Sequence, residues 1–105
     1  MMKMRALIVL SGLLTSTALL ANTEMRENYK CYVLTTRGEF ITQYAWYPSK
    51  VAVYQVGLPA TKLPPLPMYG PLPVYIKSVV ECVKQVDSFN TPEGRALDMV
   101  QLNMG

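Results

Sequence analysis

The two cysteines, Cys31 and Cys82, are the side chains of this chain whose chemistry is easiest to name. A thiol pair can exchange electrons, share a metal or close a disulfide. Redox exchange favours the Cys-x-x-Cys spacing, which is absent. A zinc site draws its ligands from several Cys and His residues, and the chain has two Cys and no His. In an oxidising compartment an even pair reads as a structural disulfide between Cys31 and Cys82. Closing that long loop removes denatured-chain entropy worth roughly 4 kcal/mol. Other chemistry is thin. Without His the commonest general base is missing, and Ser49, Ser78 and Ser88 lack a Gly-x-Ser-x-Gly setting. The acids Glu24, Glu27, Glu39, Glu81, Asp87, Glu93 and Asp98 show no spacing that singles out a catalytic pair. The expectation is a non-enzymatic chain with no catalytic residues, no cofactor and no metal.

The N-terminal residues bear on the compartment. Lys3 and Arg5 precede an apolar run from Ala6 to Ala21, and polarity returns at Asn22-Thr23-Glu24. Charge, apolar core and small residues in that order read as a secretory signal peptide, residues 1–21. Gly12 and Thr15-Ser16-Thr17 interrupt the run, which suits a signal better than a membrane-spanning helix of about 20 apolar residues. Cleavage is expected after Ala21, with Ala18 as the alternative. The remaining residues 22–105, roughly 84 in number, make one small domain with no stable membrane insertion. A domain of that size gains much from a staple.

The formal charge of +3 overstates the basicity of that domain. Setting aside Lys3 and Arg5 leaves eight basic residues against seven acids, a net charge of +1. Arg26, Lys30, Arg37, Lys50, Lys62, Lys77, Lys84 and Arg95 are spread singly, without the clustered footprint of a nucleic-acid binder.

The elements follow from pattern and punctuation. Tyr29 to Thr36 is rich in aromatic and β-branched residues and reads as a strand, as does Glu39 to Tyr47. Arg37-Gly38 is the turn signal between them. A two-residue Arg37-Gly38 loop sets Cys31 opposite Tyr44, Val33 opposite Thr42 and Tyr29 opposite Trp46. One face then collects Tyr29, Cys31, Val33, Phe40, Tyr44 and Trp46. Pro48 at the start and Gly57 just past the end punctuate a short helix, Ser49 to Val56, against a strand alternative suggested by its valines. Residues 58–73 hold six of the eight prolines, so they form an extended, turn-rich loop. Val74 to Val83 is the clearest strand, with Val74, Ile76, Ser78, Val80 and Cys82 on one face. Thr91-Pro92-Glu93 opens a C-terminal helix carrying Leu97, Val100 and Met104 at helical spacing. The fold class is α+β: a small single domain with a three-stranded antiparallel sheet, a short helix, a C-terminal helix and one disulfide.

Two features could serve contact rather than packing. Tyr and Trp are dense for the length and are enriched at interface hot spots. Tyr32, on the hairpin face away from Cys31, is the leading candidate among them, against packing under a helix. The apolar stretch Pro64, Pro65, Leu66, Pro67 with Tyr69 is the other, because ordered prolines lose little entropy on docking; its alternative is a stiff covering loop. A three-stranded sheet also exposes two edges able to pair with a partner strand. The sequence does not choose between them.

Three segments carry a family resemblance: Tyr29-Lys30-Cys31-Tyr32-Val33, then Val74-Tyr75-Ile76-Lys77-x-Val79-Val80-Glu81-Cys82-Val83, then Phe89 leading to Ala96-Leu97-Asp98. With the export signal, these segments resemble the TapY-like type IVa secretion system proteins of gammaproteobacteria with type IV pili. The Pro-rich stretch departs from the plainer loop expected there. The resemblance implies association with pilus or secretion machinery and brings no catalytic residues. The functional expectation is a periplasmic accessory protein that binds a protein partner in the cell envelope. The alternative is a small secreted inhibitor or effector, extracellular and docking through its Pro-rich loop.

Overall fold

The structure is a computed structural model that describes residues 23–104. Strands β1 (Glu27–Thr35), β2 (Gly38–Trp46) and β3 (Ile76–Lys84) form one antiparallel sheet in the order β2-β1-β3. A 3-10 turn (Pro48–Lys50), helix α1 (Val51–Val56) and a second 3-10 turn (Pro67–Tyr69) carry the chain from β2 across the sheet to β3. Helix α2 (Pro92–Met104) follows. This is the expected α+β domain, and Cys31 and Cys82 are bonded across β1 and β3, with Cα atoms 4.1 Å apart. The signal-peptide reading of Met1 to Ala21 lies outside the described residues. Among the described residues no helix is long and apolar enough to cross a membrane.

The hairpin register differs from the expected one. The loop is Thr36-Arg37, so Thr35 opposes Gly38, Cys31 opposes Thr42, Val33 opposes Phe40 and Tyr29 opposes Tyr44. Thr35 closes the turn early. Its Oγ1 accepts the Arg37 N–H (3.1 Å) and donates to the Gly38 carbonyl (2.7 Å). Gly38, at φ 116°, opens β2 with a positive φ that a side chain would resist. Each expected partner moves by two positions, so the faces survive the correction.

Strand β3 holds the second correction. Val79 rather than Val80 opposes Val33, and Ile76 opposes Thr35. Two register shifts leave Val80 and Lys77 as extra residues, and each extra residue reverses the alternation of faces. Val79 therefore packs on the core, Val80 is 43% exposed, and Ser78 turns to the far face opposite Leu34.

Each face of the sheet has its own core. Tyr29, Cys31, Val33 and Trp46 pack under Leu58, Leu63 and Tyr69 from the Pro-rich segment and Val74 just beyond it. Tyr54 fastens α1 there by stacking on Trp46, which also stacks on Tyr44 (centroids 5.4 and 4.7 Å). The Pro-rich segment is tied to the start of β3 by backbone bonds: Ala60 N–H to the Ile76 carbonyl (2.7 Å), Ile76 N–H to the Thr61 carbonyl (3.0 Å) and Leu63 N–H to the Val74 carbonyl (2.8 Å).

The other face buries Tyr32, Ile41 and Phe89, with Leu97 of α2 against them. Thr91 caps α2, as its type suggests: its Oγ1 accepts the Gly94 N–H (3.2 Å). Glu81 of β3 holds that cap in place. Its carboxylate accepts the Asn90 N–H (2.7 Å), the Thr91 N–H (3.2 Å) and the Thr91 hydroxyl (3.2 Å). About two turns further, Lys30 and Asp98 form a largely buried ion pair at 2.6 Å, with the Lys30 ammonium 5.1 Å from the centre of the Phe89 ring.

Candidate functional site

A groove of about 550 Å³ runs beside β2, on the side away from β1. Its floor is the strand edge, Ile41 to Tyr44. One wall is the Pro-rich segment, through Leu63, Pro64, Leu66, Met68 and Tyr69; the other includes Gln101 of α2. Each wall has a local cause. Tyr69 is buried and meets Phe40 edge to face (4.8 Å), which fixes the second 3-10 turn above β2. Gly70 ends that turn at φ 82°, and the Gly70 N–H donates to the Pro67 carbonyl (3.2 Å). Leu97 and Gln101 are one helical turn apart on α2, so the face that packs on the sheet also reaches its edge.

The contact between Gln101 and the edge has the form of strand pairing. The Ile41 N–H donates to Gln101 Oε1 (2.5 Å), and Gln101 Nε2 donates to the Ile41 carbonyl (3.2 Å). One side-chain amide thus supplies the acceptor and the donor that a neighbouring strand would supply. Backbone groups alternate in direction along a strand. Because Ile41 points outward, so do Gln43 and Ala45. Among the described residues no loop or side chain bonds the outward backbone of those two.

The groove is apolar with few polar groups. Among the described residues, Lys62 is the one charged side chain lining it. Thr42 is buried in its floor, and Thr42 Oγ1 has no hydrogen-bond partner among the described residues. Burial also raises the pKa values of the Tyr44 and Tyr69 hydroxyls that line it.

The sequence-based candidates fall in different places. Tyr32 lies under α2, 4% exposed, edge-on to Phe89 (6.4 Å), with its hydroxyl donating to Glu39 (2.5 Å). That hydrogen bond pushes the Tyr32 pKa up to about 12. This is the packing alternative: Tyr32 stands opposite Ile41 in the register but does not itself line the groove. Pro64 and Leu66 line the groove with their surfaces exposed, Tyr69 is buried in its wall, and Pro65 lines a smaller adjoining cavity of about 180 Å³. Pro67 opens the 3-10 turn that carries Met68 and Tyr69. Ile41, Thr42, Gln43, Lys62 and Gln101 were not singled out by sequence. The available signal was the even run Glu39 to Trp46, which contains no Pro and no Lys.

A family model described as "Type IVa secretion system protein TapY2-like" matches residues 7–103. No curated protein and no solved structure matches the chain. The match spans both cysteines, the Pro-rich wall of the groove and nearly all of α2. The chain belongs to the TapY2-like family of type IVa secretion system proteins.

Proposed function

We propose that the chain is a non-enzymatic accessory protein of the type IVa pilus or secretion machinery, held in the periplasm, which binds a protein component of that machinery. The groove beside β2 carries this reading: an apolar trough on a backbone edge suits a polypeptide. The state of the acids supports it. Glu24 accepts from Ser49, Glu39 from Tyr32 and Glu81 from the α2 cap, while Glu27 pairs with Lys84 and Asp98 with Lys30. Five of the seven acids of the domain are thus occupied in holding it together. The disulfide and the family together support export.

The test is direct binding of the purified domain to the pilins and periplasmic subunits of the cognate machinery, with fractionation of the producing cells. Binding to one subunit and retention in the periplasm are expected. Release to the medium without subunit binding would favour a secreted inhibitor or effector.

A further inference from the structure

The two edges of the sheet are not equivalent, and the difference says how a partner would bind. Strand β3 carries two bulges and the edge lysines Lys77 and Lys84. Bulges and lysines are the usual means of blunting an edge against pairing. Strand β2 has neither. Its nine residues pair with β1 in unbroken register, with no Lys and no Pro. Its protection is the Gln101 amide at Ile41. The next outward backbone groups, at Gln43 and Ala45, have no partner among the described residues; both residues are exposed, and Gln43 lines the groove.

We propose that β2 is the receiving edge for strand addition, and that its occupant is an extended segment of a partner protein. This deepens the binding role proposed above and rests on it. The segment pairs its backbone with Gln43 and Ala45. On one face, alternate apolar side chains meet Leu63, Leu66 and Met68. A carboxylate reaches Lys62, the lone charge among the described residues of the groove, and a polar group satisfies the buried Thr42 hydroxyl. Three observations select this occupant. The Gln101 amide already makes both hydrogen bonds of a strand neighbour. The orphaned Thr42 Oγ1 calls for a polar partner inside an otherwise apolar trough. The sign of Lys62 calls for an acid. A second copy of this chain fits less well, because it would bring its own Pro-rich wall and α2 against these walls, whereas a single strand enters between them. Reading further along the edge requires the segment to displace Gln101 from Ile41, so Gln101 limits how long a strand is captured.

The experiment uses the whole exported domain and synthetic peptides tiling the pilins and periplasmic subunits of the cognate machinery. Hydrogen exchange is followed at the Gln43 and Ala45 amides. Expected is a peptide with alternating apolar residues and one acid that slows exchange at both amides. Gln43→Pro removes one outward N–H and no ladder bond, a change tolerated on an edge. It should weaken that peptide about tenfold, the worth of one lost hydrogen bond, with the melting temperature monitored in parallel. Should Gln43→Pro unfold the domain, Lys62→Glu takes its place: it should weaken the acidic peptide and favour its Glu→Lys counterpart. Gln101→Ala should tighten binding of longer peptides. If an intact subunit binds but the Gln43 and Ala45 amides exchange as in the free protein, strand addition is overturned and the binding role stands. If no subunit or peptide binds, both fall. Protection of Gln43 in a self-dimer seen by sedimentation, with no peptide bound, overturns the proposed occupant.

Discussion

Ala60 shows how one residue can work against the conformation it occupies. Thr61 closes back on Leu58 through its N–H (3.0 Å) and its hydroxyl (2.6 Å), with Pro59 and Ala60 in the corner of the turn. Ala60 sits at φ 72°, where a turn of the type II kind calls for glycine. The position persists because the Ala60 N–H is bonded to Ile76 and its neighbours Leu58 and Leu63 are buried. Replacing Ala60 with Gly removes the steric cost of the left-handed region, about 1 kcal/mol. Ala60→Gly is expected to raise the denaturation midpoint in urea at unchanged slope. A lower midpoint would mean that the added freedom of the unfolded chain outweighs the relief. Thr42 is the complementary case. Its side chain is β-branched and suits a strand, yet its hydroxyl is buried without a partner among the described residues. Composition could not reveal that, because it depends on which face of β2 ends up beneath the Pro-rich wall.

Helix α2 is held at three points: the Glu81 tether at its start, the Lys30–Asp98 pair in its middle and Gln101 at the β2 edge. Desolvation alone would raise the Glu81 pKa. The backbone N–H groups of Asn90 and Thr91 and the Thr91 hydroxyl outweigh it and hold the carboxyl below its ordinary value of 4.5. A lowered native pKa favours the folded state above the unfolded pKa and loses that advantage as pH falls through the native value. Stability should therefore hold at neutral pH and decline below about pH 4.5, and Glu81→Gln should flatten that decline in a series of melts. Asp98→Ala should cost about 3 kcal/mol, because it leaves the Lys30 ammonium buried without its partner. The double change Lys30→Met with Asp98→Leu should recover most of the loss, since an apolar pair needs no desolvation. The elements themselves were legible in the sequence. Pro48, Gly57 and Thr91-Pro92 mark the helices where they form, and the period of two around Cys31 assigns the faces of the hairpin. The misread details were non-local or stereochemical. The Thr35 hydroxyl chooses the turn, and the bulges at Val80 and Lys77 arise in the pairing of β3 with β1. No local pattern announces either. The groove stayed hidden for the same reason, because it is assembled from β2, the Pro-rich segment after α1 and Gln101, the last 60 residues from Ile41.

At the scale of the whole molecule, the disulfide joins the central strand to the strand that arrives last, across a separation of 51 residues. Loss of both cysteines, as in Cys31→Ala with Cys82→Ala, should cost about 2–5 kcal/mol, read from urea denaturation of the purified domain. The bond leaves β2 outside the covalent loop's closing pair, so the receiving edge can adjust while β1 and β3 stay fixed to each other. The same connection sets an order of assembly. A chain emerges from its N-terminus, so β1 and β2 can close their hairpin early through local contacts, whereas β3 must wait. During that interval β1 has one finished side and one bare side, and the bare side carries an unpaired thiol at Cys31. Two such half-built molecules in proximity present matched bare edges and matched thiols. Crowding, or a scarcity of thiol oxidase and isomerase, would therefore yield covalently linked pairs rather than scattered unfolded monomers. The yield of active protein should then depend on the supply of folding catalysts more than on the stability of the finished domain.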